Sequence, residues 1–463
     1  MTRWNGTRKL VVAAIVATLS VGAAVAVVTQ ERSTTIKKIT DSSDDSPGLA
    51  WAVDAADMGL EGATFASPRT GSMYAWGLGS IVIGRTALTL AVVSSESGNN
   101  EAVMVGIDTT DGTVLWKTPA PDLAACADEP LDGRLVCHQP IWGETPGYVT
   151  FDPATGESRN YPTDLDLFAV TVANDRVYTT SGNLEDDDVL LHRGTLENPS
   201  ADWTAPLHAW AGWEDDYATA LEVNGEIGTF DVGGDFSTFD ASTGRQLWKT
   251  DSLEDCLGAV GRTMGDLAIA SLQDCEGTGS ESQGSVAFRL DGTVLARSDS
   301  SIVQQPSIDE PTDTSIPIVL GDAAFDRTTG EQLWRDDALS YDSPGDELNE
   351  PRTYATLRYI IGHVGLLQSS SGTTALDLRD GEHLWQADLN GNVLGHDGDL
   401  LLTSSGTDLS AVDITTGETE WTASTSMMFP DDESMSFETL VDAADGGYLV
   451  QSGTKLAMLQ PFP

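Results

Sequence analysis

Five stretches of this 463-residue chain share one pattern: Asp, three variable positions, Gly, three more residues, Trp. They run from Asp108 through Gly112 to Trp116, Asp240 through Gly244 to Trp248, and Asp326 through Gly330 to Trp334. The last two run from Asp377 through Gly381 to Trp385 and from Asp413 through Gly417 to Trp421. A supersecondary unit that recurs must stack its copies to bury a core, so the recurrence constrains the architecture more than any other feature. Each copy reads as strand, tight turn, strand. Upstream runs such as Met104–Ile107 and Leu409–Val412 suit half-buried strands. Asp and Thr can bond the local backbone, and Gly supplies the positive φ of a hairpin turn. A Trp four residues past the Gly then falls at a fixed place on the next strand. There it can dock between neighbouring sheets and bury about 150–250 Å². Packing is the favoured role of these Trp side chains, ahead of stacking on a cofactor.

The period is regular. Trp116 and Trp203 are 87 residues apart, Trp248 and Trp334 86, and Trp334 and Trp421 87. Each interval holds two units of about 43 residues, the length of a four-stranded propeller blade. Degraded copies fill the gaps. Asp152 to Gly156 is followed by Asn160 where Trp would stand, and Asp291-Gly292 by Ala296. Helical periodicity is almost absent after the N-terminus, so the expected fold is an all-β propeller. The chain ends on two strands over Tyr448–Leu459 with no fourth strand behind them. The segment Gly48–Asp54, with Trp51, supplies one at the other terminus. Pairing of the two would close the ring and remove exposed sheet edges. Nine candidate units can be counted, but propellers typically have four to eight blades. Eight blades are expected, with one unit outside the ring or one loop misread as strands.

The pattern resembles the tryptophan-docking motif of pyrroloquinoline-quinone-like (PQQ-like) β-propeller repeats, and the likeness covers most of residues 48–463. That motif is specific for the fold and not for an activity. The resemblance covers quinone- and calcium-dependent alcohol dehydrogenases as well as cofactor-free scaffolds such as outer-membrane assembly lipoproteins. The dehydrogenases typically carry two adjacent cysteines over the quinone, and this chain has no Cys-Cys pair. The likeness therefore implies the scaffold branch, with no cofactor and no catalytic residues.

Residues Leu10 to Val28 form an uncharged, mostly apolar run behind Arg3, Arg8 and Lys9. At about 1.5 Å per residue such a run can cross a hydrocarbon core of roughly 30 Å. The basic flank, residues 1–9, would remain cytoplasmic and residues 48–463 would lie outside. Ala24-Val-Ala26 also fits a signal-peptidase site, so a cleaved signal and a secreted protein are the alternative to a signal anchor over 10–28. No Cys follows the run before Cys126, which excludes a lipoprotein anchor. Residues 29–47 are polar and read as a flexible tether. Two local disulfides, Cys126–Cys137 and Cys256–Cys275, are expected. In each pair the first Cys precedes a predicted first strand and the second lies in the next strand of the same blade, and an even count outside the cytoplasm fits bridges. Free thiols or a metal site are the alternatives, though no Cys-x-x-Cys spacing occurs.

The net formal charge is −48 at pH 7. From Ile39 onward 18 Lys and Arg face 71 Asp and Glu. Such a field repels nucleic acid and favours cationic partners or divalent ions, although a solvated, salt-tolerant surface explains it as well. Acidic runs at 185–188 and 431–433 could hold calcium weakly. Asp388-Leu-Asn390-Gly-Asn392 has Val393 and Asp399 where a calcium loop needs Gly and Glu, so no metal residue is assigned. The six histidines show no metal-ligand spacing, and no nucleophile elbow, Walker loop or dinucleotide fingerprint occurs. Function in such rings lies in loops. Three insertions stand out, at 61–84, 207–217 and 337–354. Trp210 and Trp213 beside Glu214-Asp-Asp216 could form a binding lip, or pack locally. The expectation is a membrane-tethered, extracytoplasmic propeller that binds an envelope protein or a wall polysaccharide and is not an enzyme. The alternatives are a quinone/calcium-dependent dehydrogenase or a cell-wall carbohydrate-binding module.

Overall fold

The computed structural model describes residues 36–462 apart from short stretches at 75–76, 95–99, 141–144, 183–188, 208–219, 233–234, 250–256, 273–283, 301, 303, 305, 340–354, 370–371, 390, 431–435 and 445–446. Nine antiparallel-based sheets are formed by the described residues. In chain order, blade 1 spans residues 64–119, blade 2 125–162, blade 3 167–206, blade 4 221–249 and blade 5 257–298. Blade 6 spans 318–335, blade 7 356–387, blade 8 392–424, and blade 9 joins 439–460 to Gly48–Asp54. Six of the sheets have four strands.

The repeat turn folds as its residues dictate. In Asp326 to Gly330 the Asp carboxylate accepts the amides of Thr328 and Thr329 at 2.8 and 2.6 Å, and the Gly330 amide closes on the Asp326 carbonyl at 2.9 Å. The same contacts recur at Asp152, Asp240 and Asp413. The amides of Thr329 and then Thr328 hold the Asp326 carboxyl below the ordinary carboxylate range.

Buried apolar clusters join each sheet to the next. Leu88, Val92 and Met104 of blade 1 pack with Leu135 and Val149 of blade 2, and Tyr148 of blade 2 packs with Val170 and Val177 of blade 3. Phe230 ties blade 4 to Tyr178 of blade 3, and Phe236 and Trp248 tie it to Phe288 of blade 5. One larger cluster runs through blades 5, 6 and 7. Blade 7 meets blade 8 through Leu366 and Leu401, blade 8 meets blade 9 through Trp421 and Tyr448, and blade 9 meets blade 1 through Leu449 and Val105. The circuit returns to its start, so all nine sheets belong to one ring. The expectation of eight blades is thereby corrected. Blade 6 is short but wedged into the ring: Ile318, Leu320 and Ala324 are fully buried between its neighbours. Its sheet keeps three strands because Ser307–Ile308 pairs in parallel with Tyr359 and Ile360 of blade 7.

The terminal strands close the ring. Gly48–Asp54 runs antiparallel to Lys455–Gln460, from Gly48 opposite Gln460 to Asp54 opposite Lys455. Blade 9 therefore has no Asp-x-x-x-Gly turn, since the chain termini replace it. A strap of residues 36–47 occupies that place. Lys37 exchanges backbone bonds with Leu49 at 2.9 and 3.0 Å, and Ser43 bonds Thr422 of blade 8. Ile39 is buried in the cluster that holds Trp421. The tether expected over 29–47 is therefore applied to the ring from Ile36 onward. The anchor expected over 10–28 lies outside the described residues, and no helix among those described is long and apolar enough to cross a membrane.

Candidate functional site

Alternate links of each sheet lie at opposite ends of the ring. The Asp-x-x-x-Gly turns and the links between first and second strands share one end. Arginines are drawn to it: Arg85 meets Asp108 at 3.2 Å, Arg134 meets Asp152 at 3.3 Å and Arg289 meets Asp266 at 3.1 Å. Arg327 is buried there and donates to the carbonyls of Asp313, Met264 and Pro311. It links blade 5 to blade 6, at the seam where Ala296 stands in place of Trp.

At the opposite end one feature breaks the repeat within the described residues. The innermost strand of blade 1 comes in two pieces. Thr64–Ala66 pairs with Leu90–Val92, and Ile81–Ile83 pairs with Thr86–Leu88. Residues 67–80 leave between them and cross to blade 2. Ser72 is buried, its amide donates to the Leu123 carbonyl at 2.9 Å, and its hydroxyl accepts the Leu123 amide at 3.0 Å. The Asn100 amide group caps the Ser72 carbonyl at 2.9 Å, and Arg69 meets Asp128 at 2.5 Å. Burial raises the Asp128 carboxyl above its ordinary range; Arg69 opposes that shift and Glu129 adds to it. The insertion is thus held on both flanks.

Between this insertion and blade 9 lies a cleft of about 550 Å³ lined by Thr64, Phe65, Gly77, Leu78, Glu438, Thr439 and Gly453. The Phe65 amide donates to the Gly453 carbonyl at 2.6 Å, which joins the cleft's two walls. Beside it, fully buried Gln451 accepts from Ser80 Oγ at 2.7 Å, while its Nε2 has no partner. The lining offers hydroxyls, one carboxylate and a modest apolar surface. That set suits contact with a polar or peptide ligand and contains no nucleophile–base pair.

Three of the described histidines are held by packing or by simple pairs. His138 is fully buried against Tyr148, and burial pushes its imidazole down to about 4. His192 is clasped by Ser181 on Nε2 at 2.7 Å and by Ser200 and Thr204 on Nδ1 at 3.0 Å, with burial lowering its pKa. Ser181 and His192 are both buried, and among the described residues the ring's partners are hydroxyls. His383 pairs with Asp336 at 2.5 Å. Among the described residues no three His, Cys, Asp or Glu gather as a metal site.

Six of the seven docking Trp residues lie on the turn glycine of the following blade: Trp51 on Gly112, Trp116 on Gly156, Trp203 on Gly244, Trp248 on Gly292, Trp334 on Gly381 and Trp385 on Gly417. Four indole N–H groups donate to carbonyls of the next blade: Trp51 to Thr109, Trp116 to Pro153, Trp334 to Leu378 and Trp385 to Ile414. Trp421 has no such turn and packs on Tyr448 at 5.5 Å. Cys126 and Cys137 are register partners in the first two strands of blade 2 and form a disulfide. Cys256, Cys275, Trp210 and Trp213 lie outside the described residues, as do the acidic runs 185–188 and 431–433. The insertion at 67–80 falls within the irregular stretch 61–84 visible in the sequence. The partnership of that insertion with blade 9 had no sequence signal, because it joins residues some 370 positions apart.

Residues 321–462 match the family model described as outer membrane protein assembly factor BamB. The chain is a β-propeller, and the PQQ-like repeat model matches its residues 321–462. No curated protein matches the sequence. Among solved structures, the computationally designed Ika8 protein aligns at 11% identity over 83% of this chain and 100% of its own, with a TM-score of 0.41. A europium-containing methanol dehydrogenase aligns at 10% identity over 89% of this chain and 93% of its own, with a TM-score of 0.40. Likenesses of this size carry no argument about activity.

Proposed function

We propose that the propeller is an envelope scaffold, tethered outside the cytoplasm by residues 10–28, that engages a partner protein at the end of the ring bearing the insertion 67–80. The observation that supports this reading is the division of labour between the two ends. Repeated residues are consumed in blade-to-blade packing and in Arg–Asp pairs at the turn end. At the other end a non-repeated, doubly pinned segment builds a cleft with blade 9. A pinned insertion presents a rigid surface, which lowers the ordering cost of binding. The family model over residues 321–462, described as an outer-membrane assembly factor, fits a protein-interaction role. The cleft's hydroxyls and single carboxylate fit recognition better than turnover.

A photo-crosslinking residue at Leu78, with a control at Thr415 in the blade 8 turn, tests this in living cells. The reading expects adducts with an envelope protein at position 78 and none at 415. Dye-linked alcohol oxidation by the purified protein supplied with quinone and calcium would overturn it in favour of a dehydrogenase. Retention on wall polysaccharide without protein adducts would replace it with a carbohydrate-binding role.

A further inference from the structure

The insertion 67–80 takes its seat on one short strip of blade 2, residues 123–128. Ser72 exchanges two bonds with Leu123, and Arg69 pairs with Asp128. Gly71, at φ +70°, lies against the Leu123 and Ala124 carbonyls, where a Cβ would come within 2.2 Å of the Leu123 oxygen. All of these contacts on the strip fall within three residues of Cys126. The strip itself is weakly laddered. Its strand, Ala125–Cys126, has two residues, whereas the first strand of blade 3, Leu167–Ala173, has seven. It pairs Ala125 with His138 and Cys126 with Cys137, flanked by the Ala124 amide on the His138 carbonyl and the Ala127 amide on the Val136 carbonyl. So short a ladder opens locally at little cost, and the disulfide crosses it at its second pair. The bridge is buried in the apolar cluster that also holds Leu123. Six positions beyond Ser72 the chain reaches Leu78 in the wall of the cleft, and Ser80 then fastens it to Gln451 of blade 9.

We infer that the Cys126–Cys137 bridge is a redox gate on the candidate site: the insertion takes its seat, and the cleft its wall at Gly77 and Leu78, only in the oxidised protein. Closure passes two electrons and two protons from the two thiols to an oxidised dithiol carrier, whose own disulfide becomes two thiols. With the bridge open, the strip 123–128 loses the cross-link that holds it to the second strand, and the insertion loses its footing. The inference rests on the reading of the cleft as a partner site outside the cytoplasm. It adds regulation: the chain does not engage its partner while it is still in a reducing compartment, where such bridges do not persist.

Hydrogen exchange of the purified full chain, read by mass spectrometry, tests the gate without a partner. Cys126→Ala/Cys137→Ala should speed exchange over 67–74 and 124–138 at least tenfold more than over blades 7 and 8. Ser72→Ala, with the bridge intact, should speed 67–74 and leave 124–138 slow. Equal acceleration around the whole ring would make the bridge a general brace, and unchanged exchange at the insertion would leave it no hold on the site. Either result overturns the gate, as does a strip loosened equally by Ser72→Ala. Should the double variant fail to fold, wild-type protein reduced under native conditions by a water-soluble phosphine gives the same comparison; the S–S bond becomes two thiols, and the phosphine leaves as its oxide with the oxygen of water. The photo-crosslinker at Leu78 then separates the two readings. Adducts that fall several-fold when the bridge is lost support the gate, and adducts of equal yield overturn it alone. Absence of adducts in the oxidised protein would remove the partner site and the gate's regulatory role with it, whatever the exchange rates show.

Discussion

Trp51 and Gly112 form the contact through which the closing strand of blade 9 grips blade 1, and their coupling can be worked out from the geometry. Trp51 is 7% exposed and donates from Nε1 to the Thr109 carbonyl at 3.2 Å. Gly112 has φ of +70°, and a Cβ placed there would lie 2.6 Å from Trp51 Cδ2. Trp51→Ala removes a buried aromatic and should cost about 3–5 kcal/mol. Gly112→Ala carries two penalties. The left-handed backbone costs about 1–2 kcal/mol for an L side chain, and the overpacking against the indole costs about 1–3 kcal/mol. In the double variant the indole is absent, so only the backbone penalty of Gly112→Ala remains. The double variant should therefore be less destabilised than the sum of the singles by about 1–3 kcal/mol. Urea denaturation followed by far-UV circular dichroism, which does not depend on the lost Trp fluorescence, measures all four proteins. Additivity within about 0.5 kcal/mol would mean that the two residues do not touch, and would refute the docking argument for every seam built the same way.

Further outcomes follow from other seams. Arg327→Met strips the donor from three carbonyls at the seam of blades 5 and 6 and should cost about 2–5 kcal/mol in the same assay; a loss under about 0.5 kcal/mol would remove Arg327 from the account of that seam. His138 is held near 4 when folded, against 6.5 when exposed. Between those values the unfolded chain binds the proton and the folded chain does not. Stability should therefore be intact above pH 6.5 and fall by about 3 kcal/mol as the pH drops towards 4. His138→Val should flatten that part of the pH–stability curve, and an unchanged slope would contradict the burial argument. Cys126→Ala with Cys137→Ala should cost about 2–3 kcal/mol, read from the urea midpoint; no change on loss of the bridge would contradict a structural role.

The ring was legible in the sequence because its determinants are local. Asp326, Gly330 and Trp334 make the same turn and the same step to the next blade wherever they recur, and Gly48–Asp54 completes the blade that the C-terminus leaves short. Blade 6 was harder to read because its missing strand is decided by a neighbour: Ser307–Ile308 pairs with Tyr359 and Ile360 in blade 7. Nothing in the local pattern of residues 299–317 encodes that choice. The strap over residues 36–47 is hidden in the sequence for a related reason. Residues 29–47 are polar enough to pass for a tether, while Ile36, the buried Ile39 and the bonds of Lys37 and Ser43 hold residues 36–47 to the ring. The cleft beside Leu78 combines residues from both ends of the chain, so no window of sequence contains it. Its neighbour Gln451 reads as an ordinary polar residue in a strand until the fold buries it.

Closure by the two terminal strands is the claim on which the architecture rests, and one covalent test addresses it. Ala52 and Ala457 are register partners across the closing pair. Mild oxidation of the Ala52→Cys/Ala457→Cys variant, followed by non-reducing peptide mapping, should recover a peptide pair linked between positions 52 and 457 alongside the Cys126–Cys137 pair. Recovery of the native pair without the 52–457 link would contradict a ring closed by its first and last strands.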